Sequence, residues 1–361
     1  MSRPVPVPCR RLGKAAGLLF LALIVSLLAF EIYVVIVQRA GDASPPPLLG
    51  NFTRIRASLT RAPPKEEFTF AVMGDTQSTG IFERIAERLR ESPVDFAVLL
   101  GDAFKGSRTD LRYFRSEWAE ELALPFPVFF VAGNHDLEQI SRAEFERLFG
   151  PSLFSFEYQG ALFIALRIIG DPVSDEESIA FLRSFLPREA NRRRKIFVFM
   201  HIPPPVPSFD TRKFVAPREL LALFKELHVA YVFAGHHHGY ARTVLDGTTY
   251  IVSGAAGERL DDDRIPQFHH AVVVRVGRDY AAERILHVRR TRDLEDVVER
   301  FALASAYPWL RENWVVAGVA NLILVGTAAY VGMTYLGRGV RLSGDPARDS
   351  PYTGSVTDRG G

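Results

Sequence analysis

The stretch PVFFVAGNHD at 127–136 decides the fold. From Val128 to Ala132 the chain is apolar without a break, too short for an ordinary helix and bounded by Pro127 and Gly133. Such a run reads as a strand buried on both faces, and it empties directly into Asn134, His135 and Asp136.

Working outward, the same pattern recurs. FTFAVMG (68–74) precedes Asp75, Thr76 and Gln77; DFAVLLG (95–101) precedes Asp102; KIFVFMH (195–201) ends in His201; AYVFAGH (230–236) opens the run His236, His237, His238. Between these runs lie IFERIAERLRE (81–91), DLRYFRSEWAEEL (110–122), SRAEFERLF (141–149), EESIAFLRSFL (176–186) and APRELLALFKEL (216–227), with apolar residues every three to four positions. These are amphipathic helices. Strand and helix in alternation predict an α/β sandwich with largely parallel strands. The segments 248–257 and 269–276 read as strands of a second sheet layer.

In an open α/β sheet, ligands bind beyond the carboxyl ends of the strands. A single Gly-Asp or Gly-Asn after a strand is ordinary turn chemistry. Five strands that all end in Asp, Gln, Asn or His at the corresponding position need another reason. Oxygen and imidazole donors without thiolate suit Mn, Fe or Zn, and the one cysteine, Cys9, excludes a thiolate site. Two divalent ions outweigh two carboxylates and a bridging hydroxide, so such a ring stays positive and holds an anionic phosphate. Ions about 3.5–4 Å apart activate the water between them for in-line attack.

Two further stretches organise the chain. Residues 15–37 hold one charge, Glu31, and follow Arg3, Arg10, Arg11 and Lys14; residues 313–337 hold none and precede Arg338 and Arg341. Both are long enough to span a bilayer. The first exceeds the roughly 7–15-residue core of a signal peptide and lacks a good cleavage site, so it reads as an anchor. Glu31 is expected to sit near the interface, in water, with Asn321 as the polar group available on the other span. Both termini are expected in the cytoplasm and the body between the spans outside it. The expected layout is a cytoplasmic segment at 1–14, a span at 15–37, a Pro-rich linker at 38–67, the body at 68–290, a helical connector at 291–312, a span at 313–337 and a disordered tail at 338–361. With 44 Lys plus Arg against 42 Asp plus Glu, no basic face is indicated and no nucleic-acid partner is expected.

In this order, Gly-Asp, Gly-Asp, Gly-Asn-His-Asp, a strand-terminal His and Gly-His-x-His resemble the calcineurin-like metallophosphoesterase superfamily across about residues 68–257. The resemblance implies a four-layer α/β/β/α sandwich of two mixed sheets, here flanked by two transmembrane helices. It implies two divalent metal ions, with Asp75, Gln77 and His238 on the first, Asn134, His201 and His236 on the second, and Asp102 bridging. His135 would act on the phosphoryl group as general acid, with Asp136 orienting it. The usual first block is Asp-x-His; Gln77 departs from it, and its neutral oxygen favours Mn over Fe or Zn. The expected activity is hydrolysis of a phosphomono- or phosphodiester, lipid-linked or soluble, by a metal-bridging hydroxide. The rival is a binding or scaffold protein that keeps the fold without turnover. Lys105, Arg108, Phe209 and Arg259 stand on loops where a substrate would lie. His237 is expected to stay out of the ligand set.

Overall fold

The computed structural model describes residues 7–41, 48–77, 80–120, 122, 124–138, 140–186, 194–206, 216–260, 265–289 and 294–333. Phe209 and the tail 338–361 lie outside them. The chain divides into two compact units, Met1–Ile32 with Asn313–Gly361, and Tyr33–Glu312.

In chain order the larger unit contains, after the end of helix α1 (Val7–Gly41), α2 (Thr53–Thr60), β1 (Phe68–Met73), α3 (Gly80–Arg90), β2 (Phe96–Leu99), α4 (Arg108–Glu120), β3 (Val128–Phe130), α5 (Arg142–Phe149), β4 (Phe154–Tyr158), β5 (Ala161–Ala165), α6 (Pro172–Arg183), β6 (Ile196–Met200), α7 (Glu219–Glu226), β7 (Tyr231–Ala234), β8 (Tyr240–Leu245), β9 (Thr248–Ser253), β10 (His269–Val276) and β11 (Ala281–Val288). A connector follows: α8 (Leu294–Phe301), a π-helical turn at Ala302–Ala306 and α9 (Tyr307–Glu312). Helix α10 (Trp314–Val331) belongs to the smaller unit.

Two mixed sheets form. The first runs β11-β10-β1-β2-β3, with β1, β2 and β3 parallel; the second runs β4-β5-β6-β7-β9-β8, with β5, β6, β7 and β9 parallel. The segment 248–253 lies in the second sheet, but 269–276 returns to the first and pairs antiparallel with β1.

Strand β1 shows why the layers stack. Phe68, Phe70 and Val72 face the other sheet, while Ala71 and Met73 face the helices. Both faces are covered, so the strand is apolar throughout. The space between the sheets is largely phenylalanine: Phe70 stacks on Phe96 at 5.3 Å between ring centroids and meets Phe197 edge-on at 5.2 Å. Removing one such ring costs about 3–5 kcal/mol. Outside the first sheet, α3 buries Ile81, Phe82, Ile85, Ala86 and Leu89, one face at helical spacing. Outside the second, Ile179 and Leu182 of α6 and Leu220 and Phe224 of α7 do the same. Helix α6 starts four residues before the expected 176, because the Asp171 side chain caps it and Pro172 occupies its first position.

Ala15–Ile36 and Trp314–Val331 are each long and apolar enough to cross a membrane. Asn321 Nδ2 donates a 2.5 Å hydrogen bond to the Glu31 carboxylate.

Candidate metal centre

The carboxyl ends of β1, β2 and β3 and those of β6 and β7 meet along one seam. Hydrogen bonds cross it: His236 N–H donates to Asp75 Oδ2 at 2.9 Å, and from the loop after β9 Ala256 N–H donates to Gly74 O at 3.0 Å and Glu258 N–H to Asp75 O at 2.8 Å. The oxygen donors Asp75, Gln77, Asp102 and Asn134 come from the first sheet. The imidazoles His201, His236 and His238 come from the second.

The turns that carry them are strained. Asp75, Gln77, Asp102 and His236 have φ of 55°, 42°, 52° and 68°, a region that costs a residue with a Cβ about 1–3 kcal/mol. Glycines make room: a Cβ on Gly133 would collide with the carboxylate and backbone nitrogen of Asp102.

Donor atoms of Asp102, His201 and His236 lie within 4.8 Å of one another. His201 Nε2 is 2.9 Å from Asn134 Oδ1 and 3.3 Å from Asp102 Oδ2. His201 Nδ1 donates to the Leu100 carbonyl at 2.8 Å, which turns Nε2 toward these oxygens. The same device serves His238: Nδ1 donates to Arg259 O at 3.0 Å, and Nε2 stands 3.6 Å from Asp75 Oδ1.

Whether these residues suit a cation is tested by atoms that nothing else satisfies. Asp75 Oδ1 and Gln77 Oε1 are buried with no hydrogen-bond partner, an arrangement that native interiors avoid unless a ligand completes it. Charge points the same way. Burial pushes the Asp75 carboxyl up. Burial would raise Asp102 too, but the His201 imidazole prevails and holds it below the usual carboxylate range. Burial would depress His201, yet Asp102 and Asp75 draw a proton onto it and lift it to about 10. Burial, then the charge on His201, pushes His236 down to about 3. The seam therefore calls for positive charge where these atoms converge, and the donor set fits divalent ions.

The structure brings His135 to the same place: its N–H donates to Asp102 Oδ1 at 2.9 Å and its Nε2 stands 4.0 Å from Asp102 Oδ2. Asp136 does not orient it. The Asp136 carboxylate instead accepts backbone N–H groups from Asp102 at 2.8 Å, Gly133 at 2.8 Å and Ala103 at 3.0 Å. The group bonded to His135 Nδ1 is Glu138, at 3.1 Å, a residue the sequence reading passed over. His237 is buried, its ring against that of His236. His270, buried and held down to about 4, donates from Nδ1 to Phe268 O and pairs through Nε2 with the Ser253 hydroxyl, a structural role. Lys105 is exposed, and Arg108, expected on a loop, is the first residue of α4 and is engaged by Glu144 at 2.8 and 3.0 Å.

A family model described as calcineurin-like phosphoesterase matches residues 68–240. A Bos taurus protein named serine/threonine-protein phosphatase CPPED1 is 31% identical over 244 residues, 60% of this chain and 74% of its own. Its Danio rerio namesake is 32% identical over 154 residues, 38% of this chain and 50% of its own. Among solved structures, a dimetal phosphatase from Danio rerio matches with a TM-score of 0.51 at 18% identity, covering 60% of this chain and 95% of that one, a likeness of fold.

Proposed function

The chain belongs to the calcineurin-like phosphoesterase family, and from that premise we propose that it is a membrane-anchored, metal-dependent phosphoester hydrolase. The observation that carries the metal dependence is the pair of buried, unpartnered oxygens, Asp75 Oδ1 and Gln77 Oε1, in a seam lined by three imidazoles.

Asp75, Gln77 and His238 would hold one divalent ion and Asn134, His201 and His236 the other, with Asp102 available to both; Mn would suit this set best, with Fe or Zn as the other fits. When bound, two such ions lower the pKa of water and neutralise the phosphoryl oxygens. The chain's own residues do the rest. The Leu100 and Arg259 carbonyls fix the tautomers of His201 and His238. Asp102 holds the backbone of His135, and His135 Nε2 keeps a proton for the leaving oxygen.

The phosphatase names of the relatives weight the reading toward monoesters. The two apolar helices support anchoring, with the hydrolase unit outside the cytoplasm and both termini inside, and anchoring favours a phosphoester that is itself lipid-linked. The test is a panel of chromogenic phosphomono- and diesters assayed on the full chain in detergent with Mn. Hydrolysis that requires Mn and stops with chelator is expected. No metal-dependent hydrolysis of any ester would make the protein a binding module on a hydrolase fold.

A further inference from the structure

Adjacent to the seam, a second carboxylate has a geometry that Asp136 lacks. His135 to Leu137 form one 3-10 turn, and Glu138 follows it, so that its side chain returns over His135 and Oε1 lies 3.1 Å from Nδ1. The facing loop is shaped to admit it. At Gly106, φ is +80°, and a Cβ there would stand 2.5 Å from Glu138 Oε2 and 2.7 Å from the His135 carbonyl. Asp136, one residue from His135, has its carboxylate spent on the backbone N–H groups of Asp102, Ala103 and Gly133.

We propose that Glu138 is the positioning residue for His135 in the hydrolase read above, holding the ring so that Nε2 alone exchanges a proton with the substrate. A carboxylate only accepts, so Nδ1 must donate to it. With Nδ1–H fixed, Nε2 is the nitrogen turned toward Asp102 Oδ2, the oxygen that also faces His201. In the reaction, water oxygen bonds to phosphorus, the bond from phosphorus to the leaving oxygen breaks, and the proton on His135 Nε2 goes to that oxygen. The ring is left neutral, still carrying Nδ1–H toward Glu138, and the proton released by the attacking water restores the balance. Both side chains are half-exposed and three residues apart, a pairing that contributes little to stability, so its removal leaves the fold intact.

The inference rests on the hydrolase reading, and the experiment separates the two. The full chain and its Glu138→Ala and Glu138→Gln variants are assayed with Mn on an alkyl phosphate, whose leaving group needs a proton, and on a nitrophenyl phosphate, whose leaving group does not. Glu138→Ala is expected to lose about 10–100-fold in kcat on the alkyl ester with KM and metal content unchanged, the usual cost of removing the carboxylate behind a working imidazole. On the nitrophenyl ester the loss shrinks to a few-fold, and Glu138→Gln, which still offers an oxygen to Nδ1–H, recovers part of the alkyl activity. Equal losses on both esters, no loss, or loss of metal overturns the proposal. A wild-type chain inactive on both esters sinks the hydrolase reading and Glu138's role with it. Independently of turnover, 15N spectra of histidine-labelled protein are expected to show His135 with Nδ1 protonated, and with both tautomers in Glu138→Ala; a wild-type His135 protonated only at Nε2 refutes the proposal in an active enzyme.

Discussion

The carboxylate of Asp136 accepts the backbone N–H of Asp102 at 2.8 Å, so the residue beside His135 holds the loop that carries Asp102. Burial, then the neighbouring Asp102 charge, pushes the Asp136 carboxyl up to about 7. Replacing it by Ala leaves buried N–H groups of Asp102, Ala103 and Gly133 without an acceptor, at a cost of about 3 kcal/mol. Asp136→Ala is expected to lower Tm by about 6–12 °C and to bind less metal. Asp136→Asn, which keeps one acceptor oxygen, falls less. Thermal melts beside metal analysis decide this, and an Asp136→Ala chain with native Tm and metal refutes it.

Asp102 and His135 are expected to fail differently. Asp102→Ala loses metal and activity together. His135→Ala keeps its metal yet loses about 10²–10⁴ in kcat on alkyl esters, with a smaller loss on nitrophenyl esters. Metal content and rates on both ester types are the measurements. A His135 variant stripped of metal makes that residue a ligand.

Gln77 is the departure from the usual first block, and its buried, unpartnered oxygen gives it a task. Gln77→Leu is expected to reduce bound metal from about two ions per chain to about one, because Asn134, His201 and His236 are untouched. Gln77→His keeps both and shifts preference from Mn toward Zn. Elemental analysis after dialysis reads the result; full metal in Gln77→Leu removes Gln77 from the ligand set.

Asp175 in α6 contributes a pH dependence of stability. Burial pushes its carboxyl up to about 6, above the 3.8 of an exposed aspartate, against the pull of the Ile169 and Gly170 N–H groups. A raised folded pKa means that the protonated form stabilises the fold; that contribution is complete below about pH 3.8 and is lost as pH rises through 6. Asp175→Asn is therefore expected to raise Tm by about 2–4 °C at pH 7.5 and by nothing measurable at pH 3.5. A gain that is the same at both values contradicts the assignment.

Reporter fusions at residue 60 and at the C terminus test the orientation. Arg3, Arg10, Arg11 and Lys14 before one span, and Arg338 and Arg341 after the other, predict an extracytoplasmic signal from the first fusion and a cytoplasmic one from the second. A cytoplasmic signal at residue 60 reverses the reading.

The strand ends were legible because both faces of these sheets are covered. Strands such as FTFAVM and VFF then appear as unbroken apolar runs, and the chemistry at their ends stands out against them. The edge strands hid themselves. β4 and β5 are joined by Gln159-Gly160, and β8 and β9 by Asp246-Gly247, two-residue loops with positive φ throughout. Asp-Gly is a strong hairpin signal that was available in the sequence; Gln-Gly is a weaker one. That β10 pairs with β1 rather than with β9 depends on closure over a long loop, which no local pattern encodes. The family resemblance implies Asp136 as the partner of His135, and the local geometry supplies another. On a helical turn, neighbours point apart and residues three apart meet, which is what brings Glu138 to the ring. Glu31 pairs with Asn321, 290 residues away; composition offers that pairing beside a hydrated, interfacial carboxylate and does not choose between them.

The division of the seam, oxygens from one sheet and imidazoles from the other, also sets a timetable. Synthesis delivers Asp75, Gln77, Asp102 and Asn134 before any of His201, His236 and His238. From Asn134 to His201, the first of these imidazoles, the chain grows by 67 residues, roughly 3–13 s of translation. During that interval the residues proposed as ligands offer only hard oxygens, which discriminate poorly among abundant cations such as Mg and Ca. On the reading proposed above, selection among ions waits for the second sheet, so the choice is made by the folded protein and not by its nascent half.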